Sequence, residues 1–134
     1  MKSKKIPGVN IQWPWSKYIV DGKKTVETRT YPMPTKYEGV ELAIIETPGP
    51  HGRKKGLKKA RIIGTVVFSE SFQYDKVKWK NDIKKHLVDI NDPQFSWDEK
   101  KEKWGWKVKK VRKFKVSKPA PAKKGIVFAS ACDI

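Results

Sequence analysis

Four consecutive apolar residues, Leu42-Ala43-Ile44-Ile45, set the first constraint on the fold. Successive side chains of a strand point to opposite faces, so a strand that is apolar at every position must be covered on both. Residues 40–47 are therefore expected to form a central strand. Shorter alternating runs surround it. Val9, Ile11 and Trp13 alternate with Asn10 and Gln12, and residues 25–31 are rich in threonine and alternate as well. Residues 61–69 contain Ile62-Ile63-Gly64-Thr65-Val66-Val67-Phe68, where Gly64 marks a bulge or a close backbone approach. Trp104, Trp106 and Val108 open a long run that continues to Phe114 and Val116. Val111 falls out of phase between Lys110 and Arg112, which predicts a bulge. Residues 125–131 supply a last short strand, after a Pro-rich turn over 118–124.

Two segments read as helical. Pro14 suits the first position of a helix over residues 15–21, with Trp15 and Ile19 on one face, and Gly22 suits the left-handed cap that ends it. Trp79, Ile83, Leu87 and Ile90 recur at helical spacing, which predicts one helix over residues 75–90 before Pro93. Gly49, Pro50, Gly52 and Gly56 predict a loop without regular structure over 48–60. The sum is about six strands with one short and one longer helix, a mainly β chain of the α+β class without the regular alternation of a doubly wound sheet. A small mixed or antiparallel β-barrel is the architecture expected. The 134 residues suffice for one domain, with 1–8 as a flexible basic start and 9–134 as the domain.

Lys and Arg total 31 against 14 Asp and Glu, a net charge of +17. Self-repulsion of that size destabilises a compact state, and a polyanionic partner relieves it. The 6 Trp, 4 Tyr and 5 Phe argue for a folded rather than a disordered chain. Cys132 is the only cysteine and reads as a packed thiol in a reducing compartment. No apolar stretch follows Lys2, Lys4 and Lys5 as a secretory signal requires, and no apolar run is long enough to span a bilayer. The expectation is a cytoplasmic protein with no membrane partner. One Cys and two His make no standard zinc site, and no phosphate-binding or nucleophile-elbow motif occurs, so no metal and no cofactor is expected. His51 and His86 are expected to be solvated.

The stretch richest in chemistry runs from Trp13-Pro14-Trp15 to Gly22-Lys23-Lys24-Thr25-Val26-Glu27-Thr28-Arg29. A strand there turns Glu27 and Arg29 to one face and Val26 and Thr28 to the other. The pair is either an exposed ion pair or the lining of a cleft. In a cleft the carboxylate accepts from a base amino group while the guanidinium and a lysine hold phosphate. Trp13 or Trp15 then offers a stacking face worth about 1–3 kcal/mol per base. Two basic clusters stand outside it. Arg53, Lys54 and Lys55, with Lys58 and Lys59, fit an arm over a phosphate backbone or a solvated turn. Lys107, Lys109, Lys110, Arg112, Lys113 and Lys115 read as a phosphate track, because crowded like charges repel. Trp79 is assigned to the core, and Trp106 is open between core and base platform. The candidate ligand-binding set is Trp15, Lys23, Lys24, Glu27, Arg29, Arg53, Lys54, Lys55, Trp106, Lys107, Lys109 and Arg112.

Pro14-Trp15 followed by Ile19, Gly22, Lys24, Glu27 and Arg29 resembles the ASCH family of the PUA-like superfamily. That family's motif is a glycine, a lysine two on, a glutamate three further and an arginine two beyond. The resemblance extends over most of the chain, from Val9 to Ala131. It implies a PUA-like β-barrel with a cleft beside the motif, and an RNA-related function as binder or enzyme. Some relatives are amidohydrolases that remove the acyl group from cytidine modified in the N4-acetylcytidine manner, using the lysine and a threonine three residues later. Here Lys24 matches the lysine and Glu27 stands in the threonine's position. Other relatives are ribonucleases, and a metal-free route of that kind would use Lys24 and Glu27 as acid and base with Arg29 steadying the phosphorane. The function expected is RNA binding with a nucleotide-sized cleft, and the alternative is an RNA-directed hydrolase using the same cleft.

Overall fold

The computed structural model describes residues 4–121 and 127–134. Its elements are β1 (Lys5–Gln12), α1 (Trp15–Val20), β2 (Val26–Arg29), β3 (Glu41–Thr47), α2 (Gly49–Lys54), β4 (Arg61–Gln73), α3 (Lys76–Asn81), α4 (Ile83–His86), β5 (Trp104–Pro119) and β6 (Phe128–Asp133). The strands make one mixed sheet in the order β2-β5-β4-β3-β1-β6, with β1 parallel to β3 and every other pair antiparallel. The apolar run Leu42 to Ile45 lies in β3, an inner strand between β4 and β1. Leu42 and Ile44 belong to the larger apolar cluster with Val9, Ile19, Phe68 and Trp106, whereas Ala43 and Ile45 join Ile6, Ile62 and Cys132 on the other face.

The expected barrel is corrected: β2 and β6 do not pair, so the sheet is open. The reason lies in β2. It has four residues, all paired to β5, and its flank is taken by α4, whose Lys85 carbonyl accepts from the Thr25 amide at 2.9 Å. A side chain crosses the remaining gap where a strand ladder would close it. Arg29 Nη2 donates to the Asn10 carbonyl of β1 at 2.7 Å.

Other expectations are corrected too. β1 begins at Lys5, so the strand takes in residues assigned to a flexible start. The segment assigned to a loop contains α2, because Pro48 and Pro50 sit in a first turn, where a missing N–H costs nothing. The single helix over 75–90 is two. Asp82 ends α3, its carboxylate accepting from the Tyr74 hydroxyl at 2.8 Å, and α4 stops at Leu87, whose φ is 59°. Ile90 is consequently exposed rather than on a buried helical face. The bulge in β5 falls at Lys109, next to the position expected: Val67 is opposite Lys110 and Phe68 opposite Val108. Gly64 sits at another register shift and meets the Arg112 carbonyl so closely that a Cβ would lie 2.3 Å from its oxygen. Residues 122–126, in the expected turn and last strand, lie outside the described residues. No described helix is long and apolar enough to cross a membrane.

Candidate functional site

The turn after α1 builds the motif. Gly22 takes φ +78°, which a side chain disfavours, and the amides of Lys23 and Lys24 both donate to the Tyr18 carbonyl at 2.9 Å. Lys23 is left exposed and Lys24 is folded inward, only 1% exposed. The Lys24 Nζ donates to the His86 carbonyl and lies 3.5 Å from Glu27 Oε1. Burial pulls its pKa down to about 8, against the opposing attraction of the Glu27 carboxylate.

β2 turns Glu27 and Arg29 to the same face, as the period of a strand requires. Glu27 Oε2 accepts from Arg29 Nε at 3.2 Å and Nη2 at 2.9 Å, and Oε1 accepts from the Thr28 amide at 3.2 Å besides facing Lys24. A carboxylate offers about four acceptor directions, and four donors occupy them. Glu27 therefore has no free edge for a base and acts as the anion between two cations. The Arg29 guanidinium also lies over the Trp106 ring, 5.2 Å from its centroid. Trp106 is fully buried, with its indole N–H donated to the Tyr31 carbonyl, so it is core and no stacking platform.

His86, which supplies the carbonyl that holds Lys24, is not solvated as expected. Its ring is buried, stacked on Trp79 at 4.7 Å. Nε2 lies 2.7 Å from the Trp79 carbonyl and Nδ1 3.0 Å from the Val88 amide, which makes Nε2 the donor and Nδ1 the acceptor. Burial lowers its pKa to about 4, so the ring is neutral at physiological pH.

Beside the triad a cavity of about 890 Å³ opens at the unclosed seam, with β2 on one side and β1 and β6 on the other. Its walls are largely apolar, and they include Ile11, Ile45, Leu57, Val88 and Phe95. Trp15 contributes a ring that Phe95 meets edge-on at 4.8 Å and His51 at 5.6 Å. Asn10, Gln12, Thr28 and Thr47 bring polar groups to it. Arg53 and Lys58 sit on its exposed rim.

Of the candidate residues, the cavity brings together Trp15, Lys24, Glu27, Arg29 and Arg53. Lys23, Lys54 and Lys55 are exposed and outside its lining. Lys107 pairs with Glu70 at 3.1 Å, and Arg112 is 3.9 Å from Glu41 and over the Phe114 ring. Lys109, with Lys110 and Lys115, is exposed and has no acidic partner among the described residues. Asn10, Gln12, Thr47 and Phe95 were not singled out by sequence. Alternation with Val9 and Ile11 marks Asn10 and Gln12 only as the side facing away from the core, and here that side is the cavity. Among the described residues no cluster of three His, Cys, Asp or Glu side chains is arranged to hold a metal.

An open mixed sheet with short helices packed on it defines the class of fold. Solved structures resemble the chain in that fold. A serine-to-alanine mutant of ZmASCH from Zymomonas mobilis matches with a TM-score of 0.67 at 15% identity, over 92% of this chain and 86% of that one. The ASCH protein of Zymomonas mobilis matches at 0.58 and 18% identity, over 78% and 66% of the two chains. A tyrosine-to-phenylalanine mutant of ZmASCH matches at 0.57 and 18% identity, over 80% and 70%. The chain thus has an ASCH-like fold. No family model matches it, and neither does any curated protein.

Proposed function

We propose that this protein is an ASCH-family nucleic-acid-binding domain that prefers RNA, works in the cytoplasm and takes one base or nucleotide in the seam cavity. The observation that carries the reading is the cavity itself, large enough to take a nucleotide and bordered by the triad. The triad shapes it: Lys24 and Arg29 hold Glu27, and Arg29 spans the seam. The ring of a base packs among Trp15, Val88 and Phe95, and the amide and hydroxyl groups of Asn10, Gln12, Thr28 and Thr47 meet its edges. Cations without acidic partners among the described residues, Lys109, Lys110 and Lys115 on β5 with Arg53 and Lys58 on the rim, track the backbone.

The test is fluorescence anisotropy with short labelled single-stranded RNA and DNA across a salt series. If those five cations engage phosphates, the log–log salt slope on a single strand is about −3.5, from roughly 0.7 per contact. RNA should bind more tightly than DNA of the same sequence. Absence of binding to either, at low salt, overturns the reading.

A second reading, hydrolysis of RNA or of an acylated cytidine, is favoured by one observation. The Lys24 amine has a pKa near the pH of the cell, as proton-transfer groups do, and it lies against a carboxylate. Incubation with labelled RNA and with N4-acetylcytidine tests it. Turnover that disappears in Lys24→Met while RNA affinity persists supports it; absence of turnover removes it.

A further inference from the structure

The cavity carries a charge surplus that the triad does not use. Among the described residues Glu27 is the one acid in its lining, and Lys24 and Arg29 already enclose it. Arg53 and Lys58 remain. Among the described residues neither side chain has an ion-pair, hydrogen-bond or ring partner. The chain reversal after α2 holds them on one rim. The amides of Lys55 and Leu57 donate to the Gly52 carbonyl at 3.0 and 2.9 Å, the Gly56 amide donates to the Arg53 carbonyl at 3.1 Å, and Gly56 takes φ +89°. The same reversal turns Leu57 into the wall between the two cations.

A chamber with apolar walls and a cationic mouth matches a ligand of two parts. Inorganic phosphate satisfies the mouth and leaves the apolar walls in contact with water. A neutral nucleoside fills the walls and leaves two cations unused. An internal phosphodiester brings one negative charge to the mouth. A phosphate monoester, with its second pKa near 6, brings between one and two charges at neutral pH and three acceptor oxygens, which suits a guanidinium fork together with an ammonium. We infer that the cavity selects a nucleoside monophosphate, free or as the phosphorylated end of an RNA chain, with its ring among Trp15, Val88 and Phe95 and its monoester phosphate at Arg53 and Lys58. This rests on the nucleotide-binding reading above and narrows it.

Titration calorimetry tests it. Wild-type protein and the Arg53→Ala/Lys58→Ala double variant are titrated with the four common ribonucleosides, their 5′- and 3′-monophosphates, inorganic phosphate, and a tetranucleotide with and without terminal phosphates. Both substituted side chains are exposed, and a thermal melt checks that the fold is kept. The expected result is that at least one monophosphate binds tenfold or more tighter than its nucleoside, that inorganic phosphate binds weakly, and that the double variant abolishes the difference. A preference repeated in the tetranucleotide pair assigns the site to RNA ends; one confined to mononucleotides assigns it to free nucleotide. Equal affinity for nucleoside and monophosphate, or a difference that survives the double variant, overturns the inference and leaves nucleotide binding intact. If no small ligand binds while labelled RNA does, the inference and the cavity reading fall and the basic surface stands. If RNA fails as well, the whole binding reading falls.

Discussion

Replacing Glu27 by glutamine removes the anion between two cations at the edge of the core. At an effective dielectric of about 20, the attraction lost is about 5 kcal/mol for Lys24 at 3.5 Å and about 6 kcal/mol for Arg29 at 2.9 Å, before desolvation is counted. Desolvation offsets much of this in the intact triad, but it persists when the carboxylate is gone. Removing one partner of a buried pair typically costs about 3–5 kcal/mol. Lys24 has no exposed side-chain surface through which to relax, so Glu27→Gln should fall in that range. Against a total stability of about 5–15 kcal/mol the variant is then marginal. Lys24→Met should cost far less, about 1 kcal/mol, because it removes the ion whose burial is unfavourable and leaves Glu27 paired to Arg29. The double variant should therefore be more stable than Glu27→Gln alone. Urea unfolding at neutral pH reads all three, with a midpoint shift for Glu27→Gln of about 2 M at an ordinary denaturant dependence. A loss below about 1 kcal/mol for Glu27→Gln, or strictly additive effects in the pair, would refute the triad as the element that braces the seam.

Three further outcomes follow from the same structure. Since the native Lys24 amine loses its proton near pH 8 and an unfolded one keeps it to about pH 10, stability should rise with pH between those values, and Lys24→Met should flatten the rise. His86 is the acid counterpart: the unfolded chain takes up a proton near pH 6.5 and the native ring only near pH 4, so stability should fall as pH drops through that window. Ring ¹⁵N shifts should keep the neutral form protonated on Nε2 down to about pH 5, and a midpoint near 6.5 would contradict it. Gly64→Ala sets a Cβ 2.3 Å from the Arg112 oxygen and 2.7 Å from Val20 Cγ2, and should lower stability by about 2 kcal/mol or more; a thermal shift of less than a degree would contradict that.

Much of the fold is written in local pattern. Leu42 to Ile45 required two covered faces and has them, Gly22 required a left-handed turn, and the period of β2 put Glu27 and Arg29 side by side. What pattern missed has tertiary causes. The helix expected over 75–90 breaks because the Tyr74 hydroxyl binds the Asp82 carboxylate and the His86 ring meets the Val88 amide, and no propensity carries those contacts. The sheet stays open because β2 ends after four residues and Arg29 reaches the Asn10 carbonyl. In the site, a lysine reads as surface by default, and only the glutamate three residues on hints that Lys24 is buried. Trp106 was ambiguous because a strand aromatic looks the same above a core as beside a ligand. Phe95 carries no signal, since it lies in an irregular segment where its amide donates to the Asp92 carboxylate and its carbonyl accepts from Lys103.

A ¹⁵N–¹H titration of the labelled protein with a short single-stranded RNA tests directly whether the seam cavity is the place where nucleic acid is read. The largest shifts should fall on Asn10, Gln12, Thr28, Val88 and Phe95, with smaller and salt-sensitive shifts at Lys109, Lys110 and Lys115. Shifts confined to the β5 lysines, with the cavity resonances unmoved at saturation, would contradict it.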